Sequence, residues 1–401
     1  MLLIFLQFLV DHLHIKVPAV FWYSSTRMVL SALTTLLLTI SLGPMFINKL
    51  YRLKTGQSIR VEDCPMLAEL HQKKKETPTM GGGLILISMI ISLFLWMDLK
   101  SSFTLLLLIG TVWLGVVGGV DDYLKMKYKN SKGLQSKKKF FLQVILASLF
   151  SLYLLVPAIT QSVETEGWFS PPISKEYQMK EEKHVTNNTQ ETYGTYYIPF
   201  KRSALFSLEG GGLILSFVIT VFVVTAFSNA VNLADGLDGL ASGCILLVAL
   251  FLALFAFLSN HIEMARYLNI PYLEGSGEIA IYLCAVSGAC LGFLWYNGYP
   301  AQVFMGDIGS LALGGVLGMA AVLLRREVLC ALVGGVFVLE ALSVVLQVLS
   351  YRFRNKKRVF LCAPLHHHFE FKGWPETKVV LRFWIVGLIL ALTGIASLKF
   401  Q

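Results

Sequence analysis

Ten apolar runs divide this chain and constrain its fold more than any other feature: 27–48, 80–97, 103–120, 139–158, 211–229, 240–259, 279–295, 308–324, 328–350 and 380–398. Each approaches the ~20 residues that an α-helix needs to cross the hydrocarbon core of a bilayer. Backbone in lipid must satisfy its own N–H and C=O groups, so such runs become helices. With 55% hydrophobic and only 15% charged residues over 401 positions, the chain carries too much apolar surface for one soluble core. The expected fold class is an all-α polytopic membrane protein of about ten transmembrane helices. Residues 1–26 are apolar but interrupted by Asp11, His12, His14 and Lys16, which predicts an interfacial N-terminal segment. Residues 27–401 then form a single integral membrane domain.

The net charge of +9 is a topology signal before it is a nucleic-acid footprint. Segments 49–79, 123–139 and 351–382 hold 22 of the 34 Lys and Arg residues. Threading ten spans alternately puts all three on one side, which the positive-inside tendency makes cytoplasmic, with both termini outside. The opposite side carries 159–210, a loop insertion in which seven acidic residues face five basic ones. Its Glu, Lys, Thr, Asn and Tyr content suits a partly ordered cap with a short hairpin, and Asn187-Asn188-Thr189 matches a glycosylation sequon. Cys64, Cys244, Cys284, Cys290, Cys330 and Cys362 show no paired spacing, so they read as packing residues rather than disulfides or a zinc site.

The same threading brings the polar motifs to the cytoplasmic ends of the spans. Asp121 and Asp122 close the third span and are followed by Lys125, Lys127 and Lys129. The helix dipole disfavours anions there, so the pair needs another stabiliser. Asn232, Asp235 and Asp238 share one face if their stretch is helical, with Gly236 and Gly239 leaving room for a close approach. Asn297 ends a span, and Asp307 follows Phe304 and Gly306. Mg²⁺ takes one or two carboxylates plus water and phosphate oxygens, so one or two of Asp121, Asp122 and Asp307 suffice for a metal. Lys73, Lys74 and Lys75 precede Thr77-Pro78-Thr79-Met80-Gly81-Gly82, where Pro78 suits a helix start that would bind an anion. His366, His367 and His368, beside Arg352, Arg354, Lys356, Lys357 and Arg358, suit phosphate or carboxylate better than a metal. Charged groups near lipid are rare and costly, so this repeated arrangement reads as one composite site. An ion-coupled transporter expects acids at mid-membrane and on both faces, which the threading does not give. A non-catalytic scaffold leaves the acids without a role.

Thr77-Pro78-Thr79-Met80-Gly81-Gly82, Asp121-Asp122-Tyr123-Leu124-Lys125, the stretch Asn232 to Leu240, Phe304-Met305-Gly306-Asp307 and Pro364-Leu365-His366-His367-His368-Phe369-Glu370 resemble the phospho-N-acetylmuramoyl-pentapeptide-transferase family, a branch of the polyprenyl-phosphate N-acetylhexosamine-1-phosphate transferases. The resemblance runs in order from about residue 25 to the C-terminus, and the histidine tract points to the muramoyl branch. It implies a ten-helix, multi-pass enzyme of the bacterial cytoplasmic (inner) membrane, a homodimer, with its site facing the cytoplasm. It further implies Mg²⁺-dependent transfer of phospho-MurNAc-pentapeptide from UDP-MurNAc-pentapeptide to undecaprenyl phosphate, giving lipid I and UMP. A sister transferase moving another N-acetylhexosamine-1-phosphate is the alternative. Carried onto this chain, the resemblance makes Asp121, Asp122 and Asp307 the catalytic and metal-holding acids. Lys74, Asn232, Asp235, Asn297, Phe304 and His366 become substrate contacts, and Thr79, Lys125, Lys137, Asp238, Gly306 and His367 complete that set.

Overall fold

The computed structural model describes residues 2–53, 77–128, 133–164, 168–178, 183–187, 189–201 and 203–399. Lys73, Lys74, Lys75, Lys129, Cys64 and Asn188 lie outside the described residues. The helices in chain order are α1 Leu2–Leu13, α2 Ser24–Arg52, α3 Gly82–Trp96, α4 Ser102–Tyr128, α5 Ser136–Leu155, α6 Pro157–Val163, α7 Thr189–Gly194 and α8 Leu213–Ala234. They continue as α9 Leu240–Ser259, α10 Ile262–Leu268, α11 Gly277–Asn297, α12 Gly306–Leu323, α13 Glu327–Val333, α14 Gly335–Phe353, α15 Leu365–Phe371 and α16 Glu376–Lys399. Nine of them, among the described residues, are long and apolar enough to cross a membrane. The expected span 80–97 is the shorter α3, whose 15 residues reach only ~22 Å.

The structure departs from the expected boundaries in three places that bear on the site. Helix α4 does not stop at 120 but runs to Tyr128, because Leu124, Met126 and the lysine stems continue a helix-forming sequence. Asp121 and Asp122 therefore sit within a helix rather than at its end. Helix α8 stops at Ala234, Asp235 leaves helical geometry, and Gly239 adopts φ +78° before α9. Asn232, Asp235 and Asp238 thus do not share one helix face; they flank a tight turn. The expected single span 328–350 is two helices, α13 and α14, broken at Gly334.

Helices α11 and α12 form the centre and are buried along almost their whole length. Lipid offers no hydrophobic drive between helices, so small residues and polar contacts must make the packing. A Cβ on Gly288 of α11 would lie 2.1 Å from the Ala32 carbonyl of α2, and one on Gly314 of α12 would lie 2.6 Å from Phe227 O of α8. Hydroxyl pairs add to this: Ser31 with Ser92 at 3.1 Å, and Thr111 with Tyr282 at 2.6 Å. Cys244, Cys284, Cys290 and Cys330 are buried among the helices.

The long insertion contains a hairpin, β1 Ser174–Gln178 with β2 Lys183–Asn187, extended by β5 Tyr272–Leu273, and a small ladder of β3 Thr195–Tyr196 with β4 Phe206–Ser207. Two buried arginines after α12 fasten its end. Arg325 donates to Tyr193 O (3.1 Å) and stacks on Tyr193 and Tyr196, while Arg326 stacks on Tyr197 and Phe255.

Candidate active site

Opposite that clasp, the C-terminal ends of α4, α8 and α11 meet the N-terminal ends of α3, α5, α9 and α12. The closest joint is between α4 and α12, where a Cβ on Gly118 would fall 2.1 Å from Asp307 O. That approach sets Asp307, in the first turn of α12, beside Asp121 and Asp122. Carboxylate oxygens of the three all lie within 4.8 Å of one another.

Lys125 is shared among the three carboxylates, and each also has donors of its own. Asp307 Oδ2 accepts from Lys139 Nζ (2.7 Å) and Lys125 Nζ (3.1 Å), and its Oδ1 accepts from Asn232 Nδ2 (2.9 Å). Asp122 Oδ2 accepts from the Ile308 amide at 3.0 Å, in the first turn of α12, where the helix dipole favours an anion. Asp121 Oδ1 accepts from Leu134 N at 2.8 Å. Asp121 Oδ2 is buried without a directed hydrogen bond, although the Lys125 ammonium stands 2.6 Å away. These lysines and amides supply the stabilisation that the two carboxylates need.

Gly306, at φ +74°, has no room for a side chain: a Cβ would meet Asp122 Oδ2 at 2.6 Å and Thr79 Oγ1 at 2.8 Å. Thr79 is therefore part of the same cluster. The segment before α3 does not begin a helix at Pro78. It pairs with the chain entering α12, through Phe304 N to Pro78 O (2.9 Å), Gly81 N to Phe304 O (2.8 Å) and Gly82 N to Met305 O (2.7 Å). The Gly81 and Gly82 amides are consumed in this pairing and are not free for an anion, while the lysines of the expected site lie outside the described residues. Phe304 is half-buried beside the cluster.

Asp238 and Asn297 work on backbone. Asp238 Oδ2 accepts from Ala301 N (3.0 Å), while Asp238 N donates to Glu376 Oε1 (2.8 Å). Asn297 Oδ1 accepts from Gly239 N (3.1 Å) and Ser242 Oγ (3.0 Å), and its Nδ2 donates to Val303 O (2.9 Å). Together they pin the turn after α8 to the 298–303 loop. Asp235, in that turn, is half-buried; desolvation first, then the charges of Asp307 and Asp122, push its carboxyl up to about 8. His367 pairs with Glu370 at 2.7 Å, whereas His366 is wholly buried against Glu340.

Sequence reasoning missed Lys139, Glu340 and Glu376. Lys137, named in the sequence analysis, is exposed on α5, and it is Lys139 that reaches the carboxylates. Three consecutive lysines give no sign of which one faces inward. Glu340 did carry a signal, as a lone acid inside an apolar span.

The donor set fits a small, hard divalent cation. It offers only oxygen, from three carboxylates whose ligand atoms lie within 4.8 Å of one another. A bundle of apolar helices with carboxyls and lysines gathered at one end defines a class, polytopic helical membrane proteins with a polar site at a helix-end junction. A family model described as Glycosyl transferase family 4 matches residues 104–325. A phospho-N-acetylmuramoyl-pentapeptide-transferase of Protochlamydia amoebophila (strain UWE25) is 58% identical over 407 aligned residues, covering 98% of this chain and 99% of the relative. Relatives with the same description in Desulfotalea psychrophila and Thermodesulfovibrio yellowstonii are 45% and 43% identical, each over 95% of both chains. The chain belongs to this phospho-N-acetylmuramoyl-pentapeptide-transferase family.

Proposed function

We propose that the protein transfers phospho-MurNAc-pentapeptide from UDP-MurNAc-pentapeptide to undecaprenyl phosphate, forming lipid I and UMP. The observation that carries this reading is the cluster of Asp121, Asp122 and Asp307 with Lys125 and Lys139 at one end of the bundle, in a chain 58% identical to a relative so described. One substrate is confined to lipid and the other to water, so the reaction needs a site at their interface. We place that interface on the cytoplasmic side of a bacterial inner membrane, with 159–210 on the other side, residues 1–26 at the surface and a homodimer as the assembly.

In this mechanism an oxygen of the lipid phosphate attacks the phosphorus that bears the sugar. A new P–O bond forms, the P–O bond to the uridylate phosphate breaks, and UMP leaves with that electron pair. Phosphoryl transfer asks for positioning and charge neutralisation more than covalent help. Lys125 and Lys139 offer positive charge where the pyrophosphate develops negative charge. Asp121, whose Oδ2 is paired with the Lys125 ammonium, takes the proton of any monoprotonated acceptor. Asp122 and Asp307, with Asp121, would hold Mg²⁺. When bound, the ion supplies charge neutralisation at the pyrophosphate. Asn232 orients Asp307, while Asp235 and Asp238 shape the turn that faces the nucleotide. Thr79, Phe304 and Gly306 wall the cluster, Asn297 fixes their loop, and Lys74 and His367 complete the substrate-binding set.

UMP release is the decisive assay. Purified protein, undecaprenyl phosphate and Mg²⁺ are combined with UDP-MurNAc-pentapeptide or with UDP-GlcNAc. Release from the muramoyl nucleotide alone supports the reading; release from UDP-GlcNAc alone transfers it to the sister enzymes.

A further inference from the structure

We infer that Glu340 is a positioning residue for the transfer reaction, acting through His366 on Gly236 in the turn that carries Asp235 and Asp238. The inference rests on the reading proposed above.

Glu340 lies in α14, between Leu339 and Leu342, which are exposed on the outside of the bundle, yet its own side chain is wholly buried. An enclosed carboxylate is costly unless polar partners compensate it. Glu340 finds them in one residue. Its Oε1 accepts from the backbone N–H of His366 at 3.2 Å, and its Oε2 stands 3.2 Å from His366 Nδ1. The backbone hydrogen bond anchors His366 to α14 and the second carboxylate oxygen packs against its ring, without a directed hydrogen bond between Oε2 and Nδ1. The opposite edge of that ring rests on Gly236: a Cβ there would lie 2.3 Å from Nε2, 3.0 Å from Cε1 and 3.3 Å from Cδ2. The imidazole therefore fills the place that a side chain at 236 would need.

The rest of the turn is held from other directions. Glu376 accepts from Asp238 N, the Asp238 carboxylate takes Ala301 N, and Asn297 takes Gly239 N. His366 is thus the strut under the stretch next to Asp235, and Glu340 is what stiffens it. His366 is 0% exposed, so in this arrangement the ring reaches substrate only through the turn. That is why it is placed as a support and not as a direct contact.

A double-mutant cycle on the full-length protein tests the chain of contacts. Gly236→Ala, Glu340→Ala, the double variant and Glu340→Gln are assayed for UMP release, with turnover normalised to the folded fraction. Misplacing a reacting group by an ångström can cost ~100-fold, so each alanine variant is expected to lower kcat by roughly 10-fold or more. In the double variant the loosened ring yields to the added methyl, and Gly236→Ala costs less than ~3-fold on top of Glu340→Ala. Glu340→Gln, which keeps an acceptor for the His366 amide, retains most of the turnover. Losses that multiply independently, or equal losses in the Gln and Ala variants, overturn the inference and reduce Glu340 to a fold-stabilising group. A wild-type protein that releases no UMP overturns the assigned reaction instead.

Discussion

Asn232 Nδ2 stands 2.9 Å from Asp307 Oδ1, tying the last turn of one membrane helix to the first turn of another across 75 residues of chain. The same amide lies 3.0 Å from Ser310 Oγ, so its orientation is fixed from two sides. A hydrogen bond to a charged group contributes about 1.5–3 kcal/mol. Asn232→Ala should accordingly lower turnover ~10- to 150-fold with the fold intact. Steady-state UMP release together with gel filtration checks this.

Two neighbouring lysines should behave differently. Lys139 holds Asp307 at 2.7 Å, while Lys137 is exposed on the same helix. Lys139→Ala is expected to cost ~30-fold or more, since charge-assisted pairs are about twice as strong as neutral ones. Lys137→Ala should stay within ~3-fold, as surface charges usually do. Equal effects of the two substitutions would contradict the geometry.

Gly306→Ala places a methyl 2.6 Å from Asp122 Oδ2 at a φ of +74°. Both the strain and the collision act on the carboxylate cluster. Activity should drop ~100-fold or more, because the displaced group belongs to the reacting constellation. Gly373→Ala, also at positive φ but in open space, is the control and should affect activity little.

Removing divalent ions with a chelator should abolish UMP release, and adding back Mg²⁺ should restore it. Ca²⁺ should restore far less, because it prefers more ligands at longer distances. Asp307→Asn should bind Mg²⁺ more weakly, read as a higher Mg²⁺ concentration for half-maximal rate. Full activity in chelator would remove the metal from the mechanism.

The Asp235 carboxyl, pushed up to about 8 by burial and then by Asp307 and Asp122, has a folded-state value above its unfolded one. Folding therefore favours the protonated acid. That contribution is whole below about pH 4, the unfolded value, and is lost as the pH rises toward the folded one. Asp235→Asn stays neutral throughout. In metal-free buffer its Tm relative to wild type should rise between about pH 5 and pH 8 and then level off. A difference that stays flat or falls across this window would refute the burial of this group.

The membrane helices were legible because span length and apolar runs are local properties. The boundaries that matter chemically were not. Leu124 and Met126 keep α4 helical past Asp122, and Gly239 at φ +78° ends the register that Asn232 and Asp238 seemed to share. Glu340 was readable as an acid in an apolar run, but its partner, His366, is 26 residues away in chain and on another helix.

By itself the sequence determined that this chain is a polytopic helical protein, and which residue types could bind phosphate and metal. Hydropathy and composition carry that information without reference to any fold. Only the tertiary structure decided that Lys139 rather than Lys137 meets Asp307, and that His366 faces Glu340 and Gly236. Those choices depend on how closely helices and turns approach, as Gly118 does to the Asp307 carbonyl and Gly236 to the His366 ring. A contact of this kind joins residues far apart in the chain, so no local pattern can encode it.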